Sequence, residues 1–420
     1  MDGDAGPTLG TRAGSLRGLD WLNFFIADFQ TGFGPFIAVY LTSVGWSQEA
    51  IGWVLSISTV TAMASQVPAG ALVDAARNKR RVAALAIVAI AASALGIAAW
   101  PVLLPIIGAE VLHAFASAAL GPAIAAISLA LVERSAFGER LGRNARYAAV
   151  GNALAAALMG GCGYYVSDQA VFLLTAILAV AALAAVAAIR PMDLHRSART
   201  TPALEAEPRS SRPFGRILKD RRLLIFCGCV GLFQFANAAM LPVAAGEVTE
   251  HAGAAAMLLI AGGMIGPQLV TALLSPRVGR AAERWGRRRV LLLGFSALPL
   301  RSVLFATVAS PHVFVLIQLI DGVGAAVFGV LMPLVVADIT ADSDHYTLAL
   351  GVVGLAVGCG ATLSTGVAGM VADRFGEAAS FSVLAAVGFC AMLLVGILMP
   401  ETKPCLPRAS LTRTAPVRDR

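Results

Sequence analysis

The chain has 420 residues, of which 58% are apolar and only 14% charged, and its mean hydropathy is +0.77. Soluble domains sit near half apolar and a quarter charged, so a single aqueous core is excluded and lipid is the expected solvent. The net charge of +7 is read as a membrane topology signal, not as a nucleic-acid-binding face. Apolar residues fall in long blocks between short charged segments, as in membrane helices. The alternating segments of an outer-membrane barrel are absent.

The first 19 residues are polar and Gly-rich and form a tail. No cleavable leader is expected, because the apolar run that follows is too long and has no processing site. Twelve spans are predicted, at roughly 20–43, 50–74, 82–100, 102–132, 146–166, 170–190, 222–245, 253–275, 289–309, 311–337, 347–371 and 378–399. Most reach the ~20 residues needed to cross the hydrocarbon core. Between the sixth and seventh, Pro191–Arg222 is polar, basic and rich in Pro, Ser and Arg. It predicts a linker with a short interfacial helix, dividing one six-helix bundle over 20–190 from another over 222–400. A second tail covers 401–420.

Basic residues set the orientation. Arg12 and Arg17 precede the first span. Arg77, Lys79, Arg80 and Arg81 follow the second, and Arg134, Arg140, Arg143 and Arg146 follow the fourth. Arg277, Arg280, Arg284, Arg287, Arg288 and Arg289 follow the eighth. With the basic linker and tail, all share one side, and only Arg374 lies opposite. The positive-inside rule makes that side cytoplasmic, with both termini. The acidic stretch Asp338, Asp342, Asp344 with His345 departs from the pattern. Arg outnumbers Lys and Ala and Gly abound, which suggests a bacterial source, so the expected location is the inner membrane.

The six cysteines, Cys162, Cys227, Cys229, Cys359, Cys390 and Cys405, lack metal-ligand spacing and are expected as small apolar residues. No metal and no cofactor is expected, nor any nucleotide loop or nucleophile–His–acid arrangement of an enzyme.

The chain repeats itself at an offset of about 208 residues. Gly70-Ala-Leu-Val-Asp74 with Arg77-Asn-Lys-Arg-Arg81 recurs as Gly279-Arg-Ala-Ala-Glu283 with Arg284-Trp-Gly-Arg-Arg-Arg289. Glu110, His113 and Gly121 share their spacing with Gln318, Asp321 and Gly329; Pro122 and Pro333 follow, and Asp28 falls within a residue of Asn237. Two similar halves predict a pseudo-twofold axis along the membrane normal with a cavity between them.

These loops resemble the signature loop of the major facilitator superfamily, commonly G-x-L-a-D-r-x-G-r-k. Gly70, Leu72, Asp74, Arg77 and Arg80 match it best. Asn78 stands near the usual second Gly, and the other copy keeps Gly286 but has Glu283 for Asp. The resemblance covers Trp21 to Pro400 and implies an all-α membrane protein of twelve transmembrane helices in two pseudo-symmetric bundles. It also implies a monomer that moves a small molecule by alternating access. In the family the loop is a latch whose carboxylate sits near a helix end and basic side chains of the other half. Gly70, Asp74, Arg77, Arg80, Gly279, Glu283, Arg284 and Arg287 would form it; the alternative is topology anchoring alone.

Ionisable groups at bilayer depth are costly and need a role. Asp28, Glu110, His113, Arg301 and Asp321 are expected in the middle third of the membrane, and the resemblance makes spans 1, 4, 7 and 10 line the cavity. Asp28, Gln30, Glu110, His113, Gln234, Asn237, Gln318 and Asp321 are the candidates for a substrate and proton pathway. Glu110 and His113 lie one turn apart on one helix face, as a titrating couple or a satisfied structural pair. Arg301 and Asp321, at similar depth on consecutive antiparallel spans, predict an ion pair. Drug/proton antiporters of the superfamily carry an Arg in the fourth span, within R-x-x-q-G; here the matching segment is Glu110-Val-Leu-His113-Ala114. Their Gly-Pro pattern in the fifth span also lacks its proline. The glycines of spans 5 and 11 are expected to allow close helix packing. The function expected is proton-coupled export of drugs or small amphiphilic metabolites, siderophores included. Uptake of a small organic solute by symport or facilitation is the rival, and a non-transporting membrane sensor a remoter one.

Overall fold

The computed structural model describes residues 9–32, 34–191, 193, 215, 219–252, 256–308 and 311–403. Inside a bilayer each backbone N–H and C=O must be paired within its own segment, and the helix achieves that. The helices are α1 (Leu9–Gly32), α2 (Gly34–Ser43), α3 (Gln48–Ala75), α4 (Lys79–Ala99), α5 (Leu103–Leu131), α6 (Arg134–Tyr165) and α7 (Asp168–Ala188). The second half has α8 (Arg221–Ala238), α9 (Met240–Ala252), α10 (Ala256–Trp285), α11 (Arg287–Thr307), α12 (Pro311–Ile339), α13 (Tyr346–Phe375) and α14 (Glu377–Leu398).

Among the described residues, ten helices are long and apolar enough to cross a membrane. The other two of the twelve spans are α1 with α2, between which Phe33 lies outside the described residues, and α6, whose first three turns are basic. The first span of the second half is broken between α8 and α9, at Ala239. Pro242 falls in the first turn of α9, where a missing N–H costs least. At this break the Ala239 N–H donates to Ser364 Oγ at 3.1 Å, which pairs a group that the break frees.

One correction concerns loop lengths. Arg134, Arg140, Arg143 and Arg146 were expected between the fourth and fifth spans, but α6 starts at Arg134, and α10 runs on past Arg277, Arg280 and Arg284 to Trp285. Basic side chains at a helix end remain solvated beyond the membrane, so the polar sequence did not stop the helix. Most of the central linker, with its expected interfacial helix, lies outside the described residues, as do the tails 1–8 and 404–420.

Leu19, Ile37, Ile87, Ile127 and Phe172 belong to one buried core of the first half. Phe226, Phe295, Leu331 and Phe381 belong to a second core, into which Phe137 and Leu141 of α6 also insert. Large apolar side chains such as Leu85, Ile177, Leu316 and Ile397 face outward, as lipid-facing residues must. Trp53, Trp100, Tyr164 and Tyr165 are exposed at one end of the bundle, and Trp21 and Trp285 at the end bearing the basic loops, in the manner of interfacial aromatic belts.

Candidate functional site

The two halves meet mainly where α3 packs along α13 and α6 along α10. Both seams are tight only toward the basic end, where a Cβ on Gly70 would strike the Thr347 carbonyl and one on Gly351 the Gln66 carbonyl. Likewise a Cβ on Gly142 would strike the Ser275 carbonyl, and one on Gly279 the Gly138 carbonyl. Small residues here permit backbone contact, as expected of the glycines in span 11. Toward the other end, on the same helix faces, a Cβ on Gly160 of α6 or Gly369 of α13 would meet nothing within 4 Å, and Thr365 of α13 is exposed. The bundle is thus closed at its basic end and open at the opposite one.

The signature loops sit on that closed seam. Asp74, at the end of α3, accepts hydrogen bonds from the Thr347 N–H at 3.1 Å, Thr347 Oγ1 at 2.6 Å and the Leu348 N–H at 2.8 Å. These are orphan donors at the N-terminus of α13, where the helix dipole favours an anion. The carboxylate therefore meets a helix end of the other half; among the described residues it forms no ion pair. Glu283 takes the related place in the other half. Its Oε1 accepts from the Gly138 N–H of α6 at 3.3 Å, while its Oε2 pairs with Arg287 at 3.0 Å. Arg287 is buried and also pairs with Asp338 at 2.8 Å, which accounts for an acidic residue in the stretch that broke the charge rule. Arg80 donates to the Val186 and Ala187 carbonyls at the end of α7, at 3.2 and 3.3 Å. Arg77 and Arg284 are exposed. One departure from the signature, Asn78, and one glycine that it keeps, Gly286, have structural reasons. Asn78 caps α4 through its side chain, which accepts from the Arg81 N–H at 3.2 Å. Gly286 has φ of 94°, a turn that suits only glycine.

A cavity of about 550 Å³ lies between the halves above this seal. Asn23, Asn144, Asn152, Gln234, Asn237 and Gln268 line it together with Phe233, Phe328 and small residues of α5, α6 and α12. No acid or base lines it among the described residues. Gln234 and Asn237 were expected there; Asn23, Asn152 and Gln268 were missed, though an amide within an apolar span was the signal available, and Asn144, in the basic stretch before the fifth span, offered no such signal. The side chains of Asp28 and Gln30, on α1, lie outside those described. Glu110, His113, Gln318 and Asp321 sit on α5 and α12, which the cavity touches, but outside its lining.

Arg301, buried on α11, joins Asp321 of α12 in an ion pair. Its Nη2 donates to Asn237 Oδ1 at 2.8 Å and its Nε to Met240 Sδ at 3.0 Å. The pair thus reaches the cavity through Asn237. Glu110 is buried with Ser58 against its carboxyl group, yet its Oε1 has no hydrogen-bond partner among the described residues. Gln318, its counterpart in the repeat, is buried with Oε1 in the same condition. His113 Nε2 lies 3.3 Å from Ser117 Oγ.

Sequence reasoning missed a further cluster. Asp20, buried on α1, binds Arg140 at 2.5 Å and Arg143 at 2.5 Å. Arg140 Nε donates to Asn144 Oδ1 at 2.7 Å, and Asn144 Nδ2 donates to Ser128 Oγ at 2.7 Å. A chain of polar contacts therefore runs from the basic end to Asn144 in the cavity wall. Burial lowers the pKa of Arg140, opposed by Asp20, and the hydrogen bond to Asp20 raises that of Arg143. Both guanidinium groups remain charged.

A family model described as the Major Facilitator Superfamily matches residues 20–280 and 251–418. Two uncharacterized MFS-type transporters of Mycobacterium tuberculosis, from strain CDC 1551 / Oshkosh and strain H37Rv, are each 36% identical over 391 residues, covering 92% of this chain and 93% of the relative. Multidrug resistance protein 2 of Bacillus subtilis (strain 168) is 28% identical over 135 residues, 32% of each chain. Twelve membrane helices in two repeated halves, with a cavity between them, fit these matches along the whole length: the chain is a multi-pass membrane transporter, not an enzyme, and it belongs to the major facilitator superfamily.

Proposed function

We propose that the protein exports drugs or small amphiphilic metabolites, siderophores among them, by proton-coupled alternating access across a bacterial inner membrane. In this reading the termini and the basic end are cytoplasmic, and the structure corresponds to the outward-open state. The observation that carries it is the cavity between the halves, lined by six amides and two phenylalanines and sealed on the basic side by Asp74 and Glu283. Amides both donate and accept hydrogen bonds and rings supply apolar area, so the lining suits uncharged amphiphilic solutes better than strongly charged ones. The partial match to a protein named for multidrug resistance supports export. Glu110, buried with an unpaired oxygen, is the favoured proton carrier.

Purified protein in liposomes tests this directly. An acid interior, mimicking the outside of the cell, should drive amphiphilic dyes into vesicles with the basic end facing outward, and collapse of the pH gradient should abolish the uphill component. Accumulation indifferent to the gradient sinks proton coupling. Reporter fusions after Ala198 and at the C-terminus should both report cytoplasm; opposite sides overturn the orientation.

A further inference from the structure

A second pocket, also of about 550 Å³, opens at the basic end on the seam between α1, α6 and α10. Arg143, Arg146 and Arg280 surround it, with Glu139, and its apolar wall is Trp21, Phe24, Tyr147, Val150 and Pro276. Charge does not balance here. Asp20 is shared by Arg140 and Arg143, and Glu139 stands 3.8 Å from Arg280. Arg146 forms no ion pair among the described residues and is exposed. Four arginines thus face two carboxylates, leaving two positive charges in excess. The Arg143 guanidinium lies over the Tyr147 ring, 5.9 Å from its centre, and Trp21 packs on Phe24 at 5.4 Å with its face half exposed.

Depth identifies the ligand class. Trp21 opens the first predicted span, Arg146 opens the fifth, and Arg280 lies just beyond the eighth. The pocket therefore sits at the boundary between hydrocarbon and headgroups, where aromatic residues anchor and cations meet anionic lipid. We propose that this pocket binds the phosphodiester headgroup of an anionic phospholipid, with the start of an acyl chain against Trp21, Phe24 and Val150. A soluble anion would leave that apolar wall unused. Arg280 and Pro276 come from one half and the remaining lining residues from the other, so the lipid bridges the seam.

The test compares phosphatidylglycerol with phosphatidylcholine. Delipidated protein is offered equal amounts of the two and the retained lipid is counted by native mass spectrometry. Each basic residue near a headgroup is worth about fivefold in affinity, so the two excess charges predict a preference of roughly 25-fold for phosphatidylglycerol. Arg146→Gln and Arg280→Gln should each cut that preference about fivefold, whereas Arg280→Lys should keep it and show that the fold tolerates substitution there. Loss with only one of the two glutamine variants would confine the site to one half and refute the bridge. Equal retention of both lipids by the parent, or a preference that survives both substitutions, overturns the site. Excess inorganic phosphate should leave phosphatidylglycerol bound; displacement of the lipid by phosphate alone would assign the pocket to a free anion and overturn the lipid proposal.

Discussion

Asp74→Asn is the sharpest perturbation of the seam. The carboxylate holds three donors at the start of α13, at 3.1, 2.6 and 2.8 Å. Hydrogen bonds to a charged group contribute about 1.5–3 kcal/mol each, and the helix terminus adds about 0.3–1 kcal/mol. Asparagine keeps the shape and one acceptor oxygen but loses the charge and the second acceptor. The expected loss is about 2–3 kcal/mol of closed-state stabilisation, a shift of roughly 30- to 150-fold toward opening at the basic end. Spin labels at Ala75 and Asp342, exposed on opposite sides of the seam, would report it as a longer distance population, alongside slower transport. Equilibrium substrate affinity should hold, because Asp74 is outside the cavity lining. Thr347→Val removes the Oγ1 donor to Asp74 and to the Gly70 carbonyl; in the Asp74→Asn background its effect should be less than additive, since the two share one contact. Unchanged distances with unchanged turnover would refute the latch, and so would a large loss of affinity with normal turnover.

Arg301→Met and Asp321→Leu should each lower thermal stability, by about 3–5 kcal/mol, since each leaves a charge in the membrane without its partner. The double variant should recover much of that, and losses that simply sum would deny the coupling. Glu110→Gln, isosteric and permanently neutral, should abolish proton-driven accumulation while leaving substrate exchange across liposomes intact; uphill transport equal to the parent's at every pH would move the coupling role to another group, with Asp28 next. Gly351→Val should force α3 and α13 apart, because its side chain meets the Gln66 backbone. Its readout is a longer distance between the spin labels at Ala75 and Asp342, and a distance distribution equal to the parent's would show that the seam tolerates the added volume.

Much of this protein was legible in one dimension. Long apolar runs must be helices in lipid, because unpaired backbone groups are too costly there, so composition and spacing were sufficient for the class and the span count. Repeated signature loops pointed to two halves. The depth of Arg301 and Asp321 on consecutive antiparallel spans sufficed to foresee their meeting, because an unpaired charge in the bilayer is expensive.

Tertiary structure decided the remainder. Asp20 and Arg140 are 120 residues apart and look like ordinary charges near span ends; only the packing of α1 on α6 makes them a buried pair. Asp74 finds its partner in the backbone of Thr347 and Leu348, and no side-chain pattern marks a helix N-terminus contributed by the other half. The cavity takes its walls from Asn23, Asn152 and Gln268, not from Glu110 or Gln318, although all lie on the helices around it. Helical periodicity says which residues share a face, but the rotation of each helix about its axis is set by contacts with its neighbours. Those contacts, with the choice of which end is closed, depend on the packing of both halves together.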